Sequence, residues 1–133
     1  MSQSYSGVKF SCLEPCPKSP NCVSTQSEQL NKRMEALPFI SSTNTTKNLI
    51  KEIVQEMGRN EIKDEALDYL HVVFSSKWLK FKDDVEFYLD NENELLHFRS
   101  ASRVGSSDFN VNRKRMENFS VRYKQKHKGE SSL

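Results

Sequence analysis

Between residues 84 and 102, apolar and polar side chains alternate on both sides of a polar break at Asn91, Glu92 and Asn93. Alternation is the period of a half-buried strand, and two such runs around a short polar break predict an antiparallel hairpin. Register follows as well, because a slip of one residue would turn every apolar side chain outwards. The register that keeps the apolar face intact sets Glu86 against Arg99 and Tyr88 against His97. A third run over 67–75, rich in aromatic and β-branched residues, supplies a further strand. One face of this sheet then carries Leu70, Val72, Phe74, Val85, Phe87, Leu89, Leu96 and Phe98, with Val104 as a candidate extension. The other carries Tyr69, His71, Val73, Ser75, Asp84, Glu86, Tyr88, His97, Arg99, Ala101 and Arg103, too polar for an ordinary core.

Two stretches have helical spacing. Over 45–57, Leu49, Ile50, Ile53, Val54 and Met57 share one side and Gly58 marks a stop. Over 110–126, Asn112, Met116, Phe119 and Tyr123 share one side among basic residues. Both stripes need an apolar surface, so the expected fold is α+β: a two-layer sandwich, an antiparallel sheet of at least three strands with two helices on one face. An irregular N-terminal arm over 12–42, bent by Pro15, Pro17, Pro20 and Pro38, would cover one side of the domain or line a site. At 133 residues the chain suits one domain, expected over 12–127, with flexible tails at 1–11 and 128–133.

Three dense polar motifs lie on this frame: Cys-Pro-Lys-Ser-Pro-Asn-Cys-Val-Ser over 16–24, Phe-Lys-Asp-Asp-Val-Glu-Phe over 81–87, and an Arg/Ser/Asn-rich run over 99–115. Their order and content resemble the family known as domain of unknown function 1499. That family shares the Cys-Pro-x-Ser-Pro-Asn-Cys-Val-Ser start, an Asp-Asp-Val-Glu-Phe strand and a Ser-x-Ser-Arg-x-Gly-x-x-Asp-x-x-x-Asn-x-x-Arg close. The resemblance spans most of the chain and implies no settled activity.

Function must therefore be read from side chains. Cys16 and Cys22 bracket two prolines that favour a compact loop, which brings them within reach of one another. The pair admits a small-loop disulfide, a redox couple, part of a metal site, or two reduced residues anchoring the arm. Zinc would lack a fourth ligand, so no metal is expected. Reduced anchoring is favoured by a cytosolic setting, itself expected because no leader and no apolar run of about 20 residues is visible. Asp84 and Glu86 share a strand face while Asp83 points away; a cross-strand ion pair from Glu86 to Arg99 is the structural alternative to acid/base chemistry. The run over 99–115 combines a strand, a turn at Gly105, Ser106 and Ser107, and a helix start capped by Asp108 or Asn110. Such a strand–turn–helix with arginines on both sides can grip an oxyanion. Candidate ligand-binding residues are accordingly Arg99, Ser100, Ser102, Arg103, Asp108, Asn112, Arg113, Asp84 and Glu86.

The leading expectation is a binding module for an anionic small molecule, a lipid headgroup or a peptide carboxylate. The alternatives are a hydrolase-like enzyme using Asp84, Glu86 or His71 as base, and a scaffold for a protein partner. No cofactor motif is visible. Nucleic acid is not an expected partner: the net charge is +2, and the aromatic residues fall on the apolar face rather than among the basic ones.

Overall fold

The predicted hairpin forms the middle of the sheet. In the computed structural model, which describes residues 8–9, 11–76, 81–103 and 110–131, the chain runs β1 (Val8–Lys9), β2 (Cys12–Leu13), β3 (Cys22–Ser24), a 3-10 turn (Leu30–Lys32), β4 (Leu37–Pro38), α1 (Thr43–Met57), β5 (Asn60–Ala66), β6 (Tyr69–Ser75), β7 (Lys82–Asp90), β8 (Leu95–Ser102) and α2 (Val111–Ser131). Six strands make one antiparallel sheet in the order β3-β8-β7-β6-β5, with β4 also paired to β8. β3 lies against Arg99–Ala101 and β4 against Leu95 and Leu96, so both use the same edge of β8. The β7–β8 register sets Glu86 opposite Arg99 and Tyr88 opposite His97. At its turn the Asp90 carboxylate accepts the backbone N–H groups of Glu92 and Asn93, which fixes the reversal where the alternation breaks.

Both helices cover the apolar face, giving the expected two layers. Leu49, Ile50, Ile53 and Val54 of α1 and Met116, Phe119 and Tyr123 of α2 pack with Leu70, Val72, Phe74, Val85, Phe87, Leu89, Leu96 and Phe98 in one core. The Phe119 ring centroid lies 5.0 Å from that of Phe87 and 6.4 Å from that of Phe98. Each such fully buried side chain contributes about 1.5–3 kcal/mol. Tyr123 keeps its hydroxyl satisfied by donating to the Pro38 carbonyl at 2.5 Å, and burial pushes its pKa up to about 12. Ser42 caps α1 by accepting from the Thr45 N–H, and Gly58 ends it at φ 74°, ψ 169°.

Two parts differ from the sequence-based expectation. β5 was not anticipated: Asn-Glu-Ile-Lys-Asp-Glu-Ala has no alternation because an edge strand needs only one partner and buries little. It is tied down by α1, whose Lys47 Nζ donates to the Ala66 carbonyl at 2.6 Å and meets Glu65 at 3.1 Å. The arm is not irregular throughout either, since β3 and β4 join the main sheet and β1 pairs with β2. Strands of two or three residues are too short to show a period. The arm covers part of the polar face, where Leu13 packs with Tyr69 and Tyr88, joined by Val8 and Ala66. Val104, the turn over 105–107, Asp108, residues 1–7 and 10 of the first expected tail and 132–133 of the second lie outside the described residues, while α2 continues to Ser131.

Candidate functional site

The residues singled out from sequence separate onto two faces and one lateral cleft. On the arm-covered face, neighbouring rungs of the sheet are crossed by carboxylates. Glu86 accepts from the Tyr69 hydroxyl at 2.5 Å and faces Arg99 Nη1 at 3.5 Å. Burial, reinforced by the Glu86 carboxylate, pushes the Tyr69 pKa far up, so Tyr69 is a donor and not a base. Asp84 receives Arg103 through two bonds, Nε at 2.9 Å and Nη2 at 3.0 Å, and His71 Nε2 at 2.7 Å. Partial burial works against ionisation of Asp84, but the bonds from His71 and Arg103 outweigh it and hold the carboxyl well below the usual range. His97 contacts the Thr25 hydroxyl through Nδ1 at 2.9 Å and stacks on Tyr88; desolvation lowers its pKa against the opposing pull of Asp90. Arg99 also reaches the Pro15 carbonyl at 3.5 Å, while its buried Nε has no hydrogen-bond partner among the described residues.

The opposite, helix-covered side holds a second network where the apolar core ends. Asn112, fully buried, accepts from Ser100 Oγ at 2.6 Å and from Arg115 Nη1 at 2.9 Å through Oδ1. Its amide donates to Ser102 Oγ at 2.9 Å and to the Asn21 carbonyl at 3.2 Å. Arg115 Nη2 pairs with Asp83 at 2.6 Å, and the guanidinium carbon lies 4.9 Å from the Phe74 ring centroid. Donors and acceptors are matched, which in a low-dielectric setting rigidifies rather than strains the fold. Strand alternation explains the division: Asp83, Ser100 and Ser102 point to the helices, whereas Asp84, Glu86, Arg99 and Arg103 point to the arm.

At the β3 edge of the sheet the first turn of α2 meets the arm in a cleft of about 130 Å³ lined by Pro20, Cys22, Val23, Asn31, Lys32, Asn110 and Arg113. Lys32 is 4% exposed, and its ammonium donates to the Ser19 carbonyl at 2.5 Å. Arg113 Nη2 donates to the Asn31 carbonyl at 2.8 Å. Among the described residues neither cation has a carboxylate within ion-pair distance. Beside the cleft Cys16 and Cys22 form a disulfide with Cα atoms 5.7 Å apart. The compact loop was expected from its prolines; the covalent bond replaces the reduced anchoring that was favoured. Cys12 is a free, exposed thiol.

A model of the family described as "Protein of unknown function (DUF1499)" matches residues 12–122. The chain belongs to that family. The comparisons with curated proteins and with solved structures found no match. In this DUF1499 fold all three motifs meet: Asn21 from the first, Asp83 from the second, and Ser100, Ser102, Asn112 and Arg115 from the third share the helix-side network. Ser100, Ser102 and Asn112 are thus joined to one another, but not to Arg99, Arg103, Asp84 and Glu86. Arg113 stands apart at the cleft. Two contributors were not among the candidate binding residues. Arg115 closes the third motif and was legible there as its last position. Lys32 sits in a Gln-Leu-Asn-Lys stretch that reads as an exposed turn, and no local signal marks it as buried. No described helix is long and apolar enough to cross a membrane.

Proposed function

We propose that the protein is a binding module for a small ligand bearing an oxyanion, a phosphate or carboxylate, seated in the Lys32–Arg113 cleft. The observation that carries this reading is a buried ammonium beside a guanidinium, neither with a carboxylate among the described residues. A charge held away from water is costly until it is paired, and an arriving oxyanion would supply the pair. Arg113 would give the planar, two-pronged contact and Lys32 the point charge. Arg103, by contrast, is committed to Asp84 and contributes to the fold.

Titration of the protein at low ionic strength with inorganic phosphate, with acetate, and with phosphatidylcholine vesicles containing phosphatidic acid tests the proposal and separates free anion from headgroup. Saturable amide shifts around Asn31 and Arg113, weakened about tenfold or more in Arg113→Ala, are expected, since a charge-assisted bond is worth about 1.5–3 kcal/mol. No response to any of the three probes in the parent protein would remove the anion reading. The closed network of Asn112, Arg115 and Asp83 favours a second reading, a scaffold whose motifs hold the fold while a partner protein docks elsewhere. Hydrolysis draws less support, because His71 leans on Asp84 and Asp84 is clasped by Arg103. Nor does the disulfide support a cytoplasmic location, since cytosolic thiols are kept reduced.

A further inference from the structure

We infer that the Cys16–Cys22 disulfide is a redox control on the Lys32–Arg113 cleft, an inference that rests on the anion-binding reading. The bond closes the loop over 16–22, and this loop reaches the cleft through its backbone. Pro20 and Cys22 line the cleft directly. Ser19, inside the loop, provides the one acceptor of the Lys32 ammonium among the described residues. Gln29, one residue before the turn that carries Lys32, donates through Nε2 to the carbonyls of Cys16 at 3.0 Å and Pro17 at 3.3 Å. Loop and turn therefore hold each other at two points, and Lys32 stays inward only while the Ser19 carbonyl stays where it is. Breaking the bond returns conformational freedom to the loop that presents this carbonyl. The ammonium then gains more from water than from an unmoored acceptor, and one of the two cations leaves the cleft.

The two cysteines differ in their surroundings. Cys22 is 1% exposed in β3, whereas Cys16 is 7% exposed and lines a separate cleft of about 320 Å³ together with Cys12, Leu13 and Gln26. A dithiol reductant entering there attacks Cys16 Sγ as thiolate, forming a mixed disulfide and expelling the Cys22 thiolate, which takes a proton. Its second thiol then displaces Cys16. The reductant leaves as a disulfide, and two electrons and two protons reside on Cys16 and Cys22.

Three forms of the full chain test the inference: oxidised, reduced with dithiothreitol, and the Cys16→Ser/Cys22→Ser double variant. Two readouts are needed, the affinity for inorganic phosphate and the rate at which acetic anhydride modifies Lys32, followed by mass spectrometry. Lys47 is 7% exposed and bound to Glu65 and the Ala66 carbonyl, far from the loop in sequence and on α1, so its modification rate reports general unfolding. In the reduced and double-serine forms, phosphate binding should weaken about tenfold, as for a binding-competent fraction near one tenth. Modification of Lys32 should be accelerated by a clearly larger factor than that of Lys47, whose rate follows global stability alone. Equal phosphate affinity and equal Lys32 modification in all three forms overturn the redox control and leave the anion reading standing. Faster Lys32 modification with no phosphate response in any form supports the coupling and removes the anion reading. Parallel acceleration at Lys47 means that the whole fold loosens, and overturns a control local to the cleft.

Discussion

Three arginines of one motif region have three different fates, and the difference lies in what each finds within reach. Arg115 meets Asp83 with both side chains largely covered, at 13% and 12% exposure. Arg115→Met should therefore cost about 3–5 kcal/mol in a denaturant melt, because Asp83 is left without its counter-charge. Arg103 is 44% exposed, so Arg103→Ala should cost only about 1 kcal/mol despite ideal two-pronged geometry. Arg113→Ala should fall within about 0.5 kcal/mol of the parent, as surface changes usually do. Equal losses in all three would contradict this ordering. A titrating group gives a second test at this scale. Desolvation lowers the folded-state pKa of His97 from its ordinary value near 6.5, so the unfolded chain binds the extra proton first as pH falls. Its contribution is complete above the unfolded value and is lost on acidification through the folded one. The melting midpoint of His97→Gln should depend less on pH than that of the parent between about pH 7 and 5. From sequence, the Glu86–Arg99 pairing was legible because alternation fixes register. The burial of Lys32 was not, because it depends on a carbonyl thirteen residues earlier.

At the scale of elements, the helices and the three central strands were readable because each carries its own period: Phe87, Phe98 and Phe119 announce the surface they share. β5 and β3 were not, since their place depends on a partner rather than on their own composition. α1 offers two local tests. Ser42→Ala removes the acceptor for the Thr45 N–H and should cost about 1 kcal/mol. Gly58 holds φ 74°, ψ 169°, a region nearly reserved for glycine, while a Cβ there would meet nothing within 4 Å. Gly58→Ala should thus cost about 1–3 kcal/mol for backbone reasons alone. A neutral result by thermal melting would show that the chain can relax around residue 58.

At the scale of the whole molecule, the sheet is a stack of antiparallel neighbours completed on one edge by the arm. Opening the Cys16–Cys22 loop should lower global stability by about 2 kcal/mol on chain-entropy grounds, measurable as a shift in denaturant midpoint for the double-serine variant. A shift well beyond that value would mean that the arm holds more of the domain than its short strands suggest. The pairing of β3 with β8 also has a consequence for how the chain is made. Asn21 and Asn112 are joined across 91 residues, whereas the cysteines are only six apart. On the ribosome, given an oxidant, the small ring can close as soon as its second cysteine emerges, but the edge of β8 that receives it is translated only after α1, β5, β6 and β7. The first segment of the sheet to be translated is therefore among the last to be seated, and a nascent chain arrested before residue 95 carries a finished loop with no strand to receive it.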